Sequence, residues 1–245
     1  MTEAQLFYTC LINEFFPTAG RAVVDVLEDH GVKVRVPLHQ TCCGQPAFNA
    51  GFWGEARKVA KATLTGLDRT EGPIVVPSGS CADMLSHQTK ELFRESPDDR
   101  DLADRIASRV REFSQFVVEE LEGPKGTYSL NESVAYHPSC HLSRGLGVKV
   151  PPKRILDSVK GLESLDFDEQ DECCGFGGLF SAKQPEISGA MMNRKLDAIE
   201  ASGARRVVSC DMGCLLHLGG GLHRRGSAMQ TCHLAEVLAN ARKRS

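Results

Sequence analysis

The stretch TCCGQPAF at residues 41–48 returns in the second half of the chain as ECCGFGGLF at residues 172–180. Each copy holds two adjacent cysteines followed by a glycine. Neighbouring Cα atoms across a trans peptide lie about 3.8 Å apart, whereas disulfides usually span about 4.4–6.8 Å. An adjacent pair is therefore poorly placed to form a disulfide with itself, and the two copies indicate thiols that bind a ligand.

These pairs belong to a longer pattern that the chain contains twice. The cysteines of the first set are Cys10, Cys42, Cys43 and Cys81, and those of the second set are Cys140, Cys173, Cys174 and Cys214. The offset between corresponding cysteines grows only from 130 to 131 to 133 residues. A repeat of this length predicts duplication of a whole supersecondary unit, and small loop insertions account for the drift.

Strands and helices are predicted to alternate in the same order in both copies. Short β-rich runs lie at 5–9, 32–38, 73–79, 133–139, 162–167 and 205–211. Apolar residues at helical spacing lie at 18–30, 52–69, 151–160 and 186–201. Such alternation is typical of parallel sheets with right-handed crossovers. The sequence therefore predicts an α/β fold of two pseudo-symmetric, Rossmann-like halves with parallel strands.

The middle of the chain is predicted to connect these halves. Residues 99–121 carry apolar side chains at steps of three or four, which indicates one amphipathic helix. Residues 122–133 are rich in Gly, Ser and Pro, as linkers often are. The predicted organisation is a first repeat at 1–97, a bridging helix and linker at 98–130, and a second repeat at 131–245.

Each cysteine of the two sets follows a predicted strand. In open α/β sheets, ligands collect at the carboxyl ends of the strands, where helix N-termini supply partial positive charge. The topology therefore predicts that the four thiols of each set converge at one sheet edge, although they are far apart in sequence.

Composition restricts the class of protein. The 245 residues are 25% charged and 41% hydrophobic, which is typical of a globular protein. A formal net charge of −3 without a basic patch argues against nucleic-acid binding. We expect a cytoplasmic protein, because the N-terminus lacks a targeting signal and no apolar run is long enough for a membrane span. This leaves room for peripheral association with a membrane. Ten cysteines in that compartment indicate metal or redox chemistry.

Four converging thiols are most readily explained by a bound metal. Ionising several of them would place repelling charges together, and a soft metal removes this conflict by taking thiolates as ligands. Structural zinc sites usually use short C-x2–4-C knuckles, which both halves lack outside CDMGC at 210–214. The spacing favours an iron–sulfur cluster over zinc and over metal-free redox thiols. No G-x-G-x-x-G follows a first strand, so we predict no NAD site.

Two cysteines fall outside the repeat. Cys232 is predicted to be a core residue, because isolated cysteines are usually buried. Cys210 precedes Cys214 by four residues and is a candidate for an additional metal ligand.

Four further residues are candidates for contact with a substrate or cluster. His137 and His141 flank the first cysteine of the second set, and Arg144 could bind a carboxylate through its planar guanidinium. His217 follows the last cysteine by one helical turn and could ligate metal or relay a proton. A core role for the histidines and a surface ion pair for the arginine are the alternatives.

The doubled pattern C-x31-CCG-x36-C and C-x32-CCG-x38-C resembles the cysteine-rich CCG domain. That domain occurs in one of the subunits of heterodisulfide reductase and in iron–sulfur subunits of glycolate and lactate oxidation systems. The segments HPSCHLSRGLG (137–147), CCGFGGLFSAKQPEIS (173–188), DMGCLLHLGG (211–220) and HLAEVLA (233–239) are most similar to the lactate utilization A family within that group.

The resemblance implies an oxidoreductase subunit of a flavin-independent, multi-protein system that oxidises L-lactate to pyruvate. Its implied partners are a ferredoxin-type iron–sulfur subunit and a third lactate-utilization subunit. The implied cofactor is one [4Fe–4S] cluster per repeat, ligated by the cysteines of each set. The heterodisulfide reductase relatives carry a fifth cysteine per motif, where this chain has Met84 and His217. Non-cubane clusters of that kind are therefore not expected.

Two other functions are compatible with the same residues. One is a zinc-bound scaffold subunit without a redox role. The other keeps the redox chemistry but serves glycolate oxidation or disulfide reduction in place of lactate oxidation.

Overall fold

The computed structural model describes residues 2–38 and 40–242, so the outer bounds of the two predicted repeats, at 1 and 245, lie outside the described residues. The fold contains two four-stranded sheets, and all strand pairs within them are parallel. The first sheet contains β1 (Glu3–Leu6), β2 (Lys33–Arg35), β3 (Ile74–Val76) and β4 (Val110–Glu112). The second contains β5 (Ser129–Tyr136), β6 (Lys160–Leu165), β7 (Arg206–Ser209) and β8 (Gln230–His233).

The strand order is the same in both sheets: β2-β1-β3-β4 in the first and β6-β5-β7-β8 in the second. This identity confirms the predicted α/β fold of two pseudo-symmetric halves with parallel strands. The fourth strand of each sheet, β4 and β8, lies outside the strands predicted from the sequence.

Helices connect the strands in both halves. The first half contains α1 (Cys10–Phe15), α2 (Pro17–Asp29), α3 (Gln45–Asn49), α4 (Trp53–Leu67), α5 (Gly79–Asp83), α6 (Thr89–Leu92), α7 (Pro97–Arg109) and α8 (Phe113–Gln115). The second half contains α9 (Val150–Asp157), α10 (Leu179–Lys183), α11 (Pro185–Ala201), α12 (Met212–Arg224) and α13 (Leu234–Ala241). Short π-helical turns occur at Met84–Gln88, Phe116–Glu120 and His141–Gly145.

Local sequence explains where several of these helices begin and end. Proline opens α2, α7 and α11, because the first helical position needs no amide donor. Gly31, with φ of 75°, follows the end of α2 in the left-handed conformation that glycine adopts most easily. Among residues 2–38 and 40–242, no helix combines the length and apolar character that a membrane span requires.

The segment 99–121 is not the single helix that its apolar spacing predicts. It divides into the end of α7, then β4, α8 and a π-helical turn. Val110 pairs with Ile74 and Glu112 with Val76, so this piece of chain completes the first sheet. The Glu112 carboxylate also starts α8 by accepting hydrogen bonds from the amides of Ser114 (2.8 Å) and Gln115 (3.3 Å). Apolar residues keep steps of three or four across the break, at Ile106, Val110, Phe113 and Val117, and for this reason the spacing does not reveal it.

A shared hydrophobic core holds the two halves together. It includes Leu6 and Val75 from the first sheet, Val134 and Val208 from the second, and Phe113 from α8. All five side chains are fully buried. Burial of each such side chain contributes about 1.5–3 kcal/mol, so the contact between the halves is part of the folded core. The relative placement of the two sheets follows from this packing.

Glu112 carries a buried carboxyl group next to that shared core, and we expect this group to make the stability of the fold depend on pH. Burial raises the pKa of Glu112 to about 7, from an unfolded value of 4.5. Between these values the folded protein binds more protons than the unfolded chain, so the free energy of unfolding falls as the pH rises through 7. From pH 5 to pH 8, we expect a loss of about 2–3 kcal/mol that Glu112→Gln does not show.

Chemical denaturation of the two proteins at pH 5 and pH 8, under anaerobic conditions, measures this difference. Parallel pH profiles for wild type and Glu112→Gln would contradict the assignment of the effect to this carboxyl.

Candidate metal centre

The first cysteine of each set begins a helical turn after the first strand of its sheet. Cys10 is the first residue of α1, where Thr9 caps the helix by accepting a hydrogen bond from the Ile12 amide (3.4 Å). Cys140 directly precedes the π-helical turn at His141–Gly145. Both cysteines are half-buried.

The last cysteine of each set lies in a helix that follows the third strand. Cys81 is in α5, after β3, and Cys214 is in the first turn of α12, after β7. Asp211 caps α12, because its Oδ1 accepts hydrogen bonds from the amides of Gly213 (3.1 Å) and Cys214 (3.2 Å). Cys214 therefore lies next to the partial positive charge at the N-terminus of α12.

The glycine after each cysteine pair is required by the backbone. Gly44 has φ of 91° and Gly175 has φ of 89°, a region that other residues rarely adopt. A Cβ atom on Gly175 would lie 2.8 Å from the Ser188 carbonyl oxygen, and at Gly44 it would lie 3.2 Å from the Ala56 carbonyl oxygen. The amides of both glycines point back at the preceding thiols, at 3.5 Å from Cys42 Sγ and 3.4 Å from Cys173 Sγ.

This geometry brings the sulfur atoms of each set together. Within the described residues all ten cysteines are free thiols. The measured Sγ–Sγ distances are 3.9 Å for Cys10–Cys42, 3.4 Å for Cys43–Cys81 and 3.2 Å for Cys174–Cys214.

The two sets face each other across one cavity between the halves. It has a volume of about 160 Å³, and all eight cysteines of the repeat line it. The sequence predicts one site at each sheet edge, and packing through the shared core turns these two edges toward a common space. Residues of both halves complete the wall, among them Gln45, Ser80, His141, Phe176 and Asp211.

The thiols of one set cannot all ionise in the absence of a cation. Hydrogen bonds from Cys10 and Cys43 lower the pKa of Cys42, and the same contacts together with burial raise the pKa of both donors. In the second set, the pKa of Cys173 is lowered in the same way. Cys42 and Cys173 therefore form thiolates most readily, whereas Cys10 and Cys43 need a positive charge nearby before they ionise.

The donor atoms fit a soft metal or an iron–sulfur cluster. Thiolates are the ligands of such centres. Each set contributes four cysteines, which follow different strands, and all of them line the same cavity. Cys43, Cys81, Cys174 and Cys214 are buried, so water competes little for these ligand positions.

His137 lies beside the second set. Among the described residues its two ring nitrogens have no hydrogen-bond partner, although the side chain is fully buried. One ring nitrogen of His137 and the Sγ atoms of Cys174 and Cys214 all lie within 4.8 Å of one another. Burial lowers the pKa of His137 to about 4, so the ring is neutral and offers a lone pair.

The other three candidates have different positions. His141 lines the cavity, and its Nδ1 lies 2.8 Å from Oδ2 of Asp83 in the other half. Arg144 is exposed and does not line the cavity. His217 lies one layer behind the second set, with Nε2 3.3 Å from Ser188 Oγ and its ring 5.8 Å from that of Phe176.

The two cysteines outside the repeat belong to the shared core. Cys210 is fully buried there, and burial raises the pKa of its thiol. Cys232 is 6% exposed in the same core, and burial raises the pKa of its thiol to about 12. Neither side chain lines the cavity. We therefore propose Cys210 as a core residue and not as a ligand.

Sequence reasoning missed the residues that fasten the two halves around the cavity. Asp211 Oδ2 accepts hydrogen bonds from the Ser80 amide (2.7 Å) and the Ser78 hydroxyl (3.2 Å) of the other half. The Gly79 amide donates to the Cys210 carbonyl (2.9 Å). An aspartate before MGC is a recognisable helix N-cap signal, but its second set of partners is visible only in the folded structure.

Comparison with known proteins agrees with the repeat. The sequence model of the cysteine-rich CCG domain matches residues 4–86 and 134–219, and each range contains one complete cysteine set. The crystal structure of a hypothetical protein from Helicobacter pylori superposes with a TM-score of 0.64 at 12% identity. That superposition covers 100% of this chain and 49% of the other, and it supports the fold alone.

Full-length relatives are similar over nearly the whole chain. Lactate utilization protein A 2 of Bacillus cereus is 41% identical over 237 residues, which cover 97% of this chain and 98% of the relative. Lactate utilization protein A of Shouchella clausii is 42% identical over 236 residues, covering 96% and 98%. The chain therefore belongs to the cysteine-rich CCG-domain family, in the group of the lactate utilization A proteins.

Proposed function

We propose that this chain is the iron–sulfur subunit of a multi-protein system that oxidises L-lactate to pyruvate, and that it passes the electrons through cysteine-ligated clusters. The observation that carries the proposal is the convergence of eight thiols on one cavity. The lactate substrate is carried over from the relatives named lactate utilization protein A.

The proposed centres are one [4Fe–4S] cluster in each half, held by the four cysteines of each set. Such a cluster accepts and releases single electrons. Oxidation of L-lactate to pyruvate releases two electrons and two protons. Two one-electron centres in one protein match that number, and their common cavity would keep them close enough to exchange electrons.

The protein's own residues hold and shield these centres. The amides of Gly44 and Gly175 donate toward the thiolates of Cys42 and Cys173, which stabilises their negative charge. The cap formed by Asp211 orients the first turn of α12 toward the second centre.

The electrons need a partner on each side of this chain. We propose a ferredoxin-type iron–sulfur subunit and a third lactate-utilization subunit as these partners. The half-buried Cys10, Cys42, Cys140 and Cys173 lie on the more accessible side of the cavity, where a partner could approach. The more deeply buried cysteines lie toward the protein interior.

Metal analysis tests the proposal directly. Protein purified anaerobically is expected to contain iron and acid-labile sulfide, with a broad absorbance near 400 nm and an EPR signal after reduction. Zinc at one or two equivalents, unchanged after anaerobic reconstitution with iron and sulfide, would overturn the redox function in favour of a zinc-bound scaffold.

Growth of a deletion strain tests the substrate. We expect loss of growth on L-lactate with growth on glycolate unaffected. The opposite pattern would assign the same redox chemistry to glycolate oxidation.

A further inference from the structure

The two cysteine sets are chemically different although the fold repeats. Phe7 and His137 occupy equivalent positions, three residues before the first cysteine of each set. Their backbone amides make equivalent hydrogen bonds, to the carbonyls of Val75 (2.9 Å) and Val208 (2.8 Å). Both side chains are fully buried. The first half thus packs an inert phenyl ring where the second half places an imidazole.

The imidazole of His137 has no other explanation within the described residues. Neither of its ring nitrogens has a hydrogen-bond partner, and leaving a buried polar group unpaired costs about 1–3 kcal/mol. The sulfurs of Cys174 and Cys214 and a ring nitrogen of His137 lie within 4.8 Å of one another. Such spacing suits three ligands of a single metal ion; on a cluster each atom would bind a different iron, and the side chains would have to move apart to do so.

We propose that His137 is a ligand at the second cysteine set, which makes that centre a mixed imidazole–thiolate site while the first centre has thiolates only. This inference rests on the proposed function, because it assumes that each set holds an iron–sulfur cluster. The second set then offers five donors and the first set four; because a [4Fe–4S] cluster takes one protein ligand on each of its four irons, His137 replaces one cysteine of the second set as a ligand.

The halves differ at a second position, and this difference changes the reduction potential of the second centre in the same direction. Thr63 and Lys195 occupy equivalent positions in the two halves. The Ala56 carbonyl lies against Gly44 and the Ser188 carbonyl lies against Gly175. Thr63 follows Ala56 by seven residues, and Lys195 follows Ser188 by seven residues. Thr63 is neutral and donates to the Cys42 carbonyl (2.9 Å). Lys195 is 2% exposed.

The Lys195 ammonium holds the loop before the second pair. It donates to the carbonyls of Glu169 and Gln170, the latter at 3.1 Å, and it lies over the Phe167 ring, 5.4 Å from the centroid. A buried cation and a neutral imidazole ligand both favour the reduced, more negative state of a nearby cluster. The second centre is therefore the one with the higher reduction potential, where electrons collect.

Hyperfine spectroscopy of reduced protein that contains ¹⁵N-labelled histidine tests the ligand assignment. Wild type is expected to show one nitrogen bound directly to a cluster, and His137→Phe is expected to lose it. Phe7 fills the equivalent position in the first half, so a phenyl ring at residue 137 is expected to fit and the variant to fold. The matched control His217→Phe removes a nearby histidine whose Nε2 already has a partner, at 3.3 Å from Ser188 Oγ, and it should keep the signal.

A second variant keeps the test decisive if His137→Phe loses its cluster. His137→Cys replaces the nitrogen by a thiolate, so iron content should be retained, the nitrogen coupling lost and the potential of one centre lowered. Two intact clusters without any histidine coupling in wild type, or a coupling that survives in His137→Phe, would overturn the inference and leave the proposed function standing. Absence of iron from wild type would overturn both.

Discussion

Serine at both Cys42 and Cys43 is expected to remove about half of the iron and acid-labile sulfide from the anaerobically purified protein. Serine at both Cys173 and Cys174 should remove the other half. Each adjacent pair supplies two of the four thiolates of one set, and a cluster that loses both of them is poorly held. Iron and sulfide analysis per polypeptide measures the loss.

The single cavity makes this experiment informative. Because both sets line the same space, one cluster bridging the halves is an alternative arrangement that sequence spacing does not suggest. A bridging cluster would be lost entirely with either pair, so full loss of iron from each double variant would contradict two separate centres.

The cysteines of the shared core supply the control. Cys210→Ala and Cys232→Ala remove thiols that do not line the cavity, and both variants should retain all of their iron. A loss of iron from Cys210→Ala alone would show that this residue is a ligand after all.

Replacement of Asp211 by alanine is expected to lower the free energy of unfolding by about 3–5 kcal/mol. Its carboxylate is 3% exposed and accepts hydrogen bonds from the amides of Ser80, Gly213 and Cys214 and from the Ser78 hydroxyl. Alanine removes the cap of α12 and leaves several buried donors unpaired. Because these donors belong to both halves, the contact around the cavity weakens together with the helix.

Two variants separate this role from a general loss of a buried polar group. Asp211→Asn keeps one acceptor oxygen, so its loss of stability should be clearly smaller than that of Asp211→Ala. Ser78→Ala removes a single hydroxyl from the same network and should cost about 1 kcal/mol or less. Equal destabilisation by all three changes, measured by chemical denaturation, would contradict the proposed role of Asp211 in joining the halves.

The alternation of strands and helices was predictable because each strand–helix–strand unit of the duplicated sequence carries its own apolar period. The predicted helices at 18–30 and 186–201, for example, are found as α2 and α11. The break at β4 could not be predicted in this way. Val110–Glu112 becomes a strand only because β3 has an open edge beside it, which is a tertiary and not a local property.

The candidate site, like the fold, was predictable from the sequence only in part. The cysteine spacing alone predicted which eight thiols belong together, and the structure places all eight at one cavity. It could not place Cys210 in the core, since four residues from Cys214 span the end of β7 and the start of α12, where the chain changes direction. Nor could it show that Asp211 reaches Ser80, because that contact joins residues 131 positions apart.

The duplicated α/β fold and the two matched cysteine sets are written in the amino-acid sequence, because strand ends and glycine turns are encoded locally in each repeat. That the sets face each other across one cavity, in different surroundings, follows instead from tertiary packing. Phe113 and its neighbours in the shared core pack against residues of both sheets, and this packing is a sum of long-range contacts. The exchange of Phe7 for His137 is legible in the sequence, but its meaning appears when the fold brings the imidazole to the sulfurs of Cys174 and Cys214.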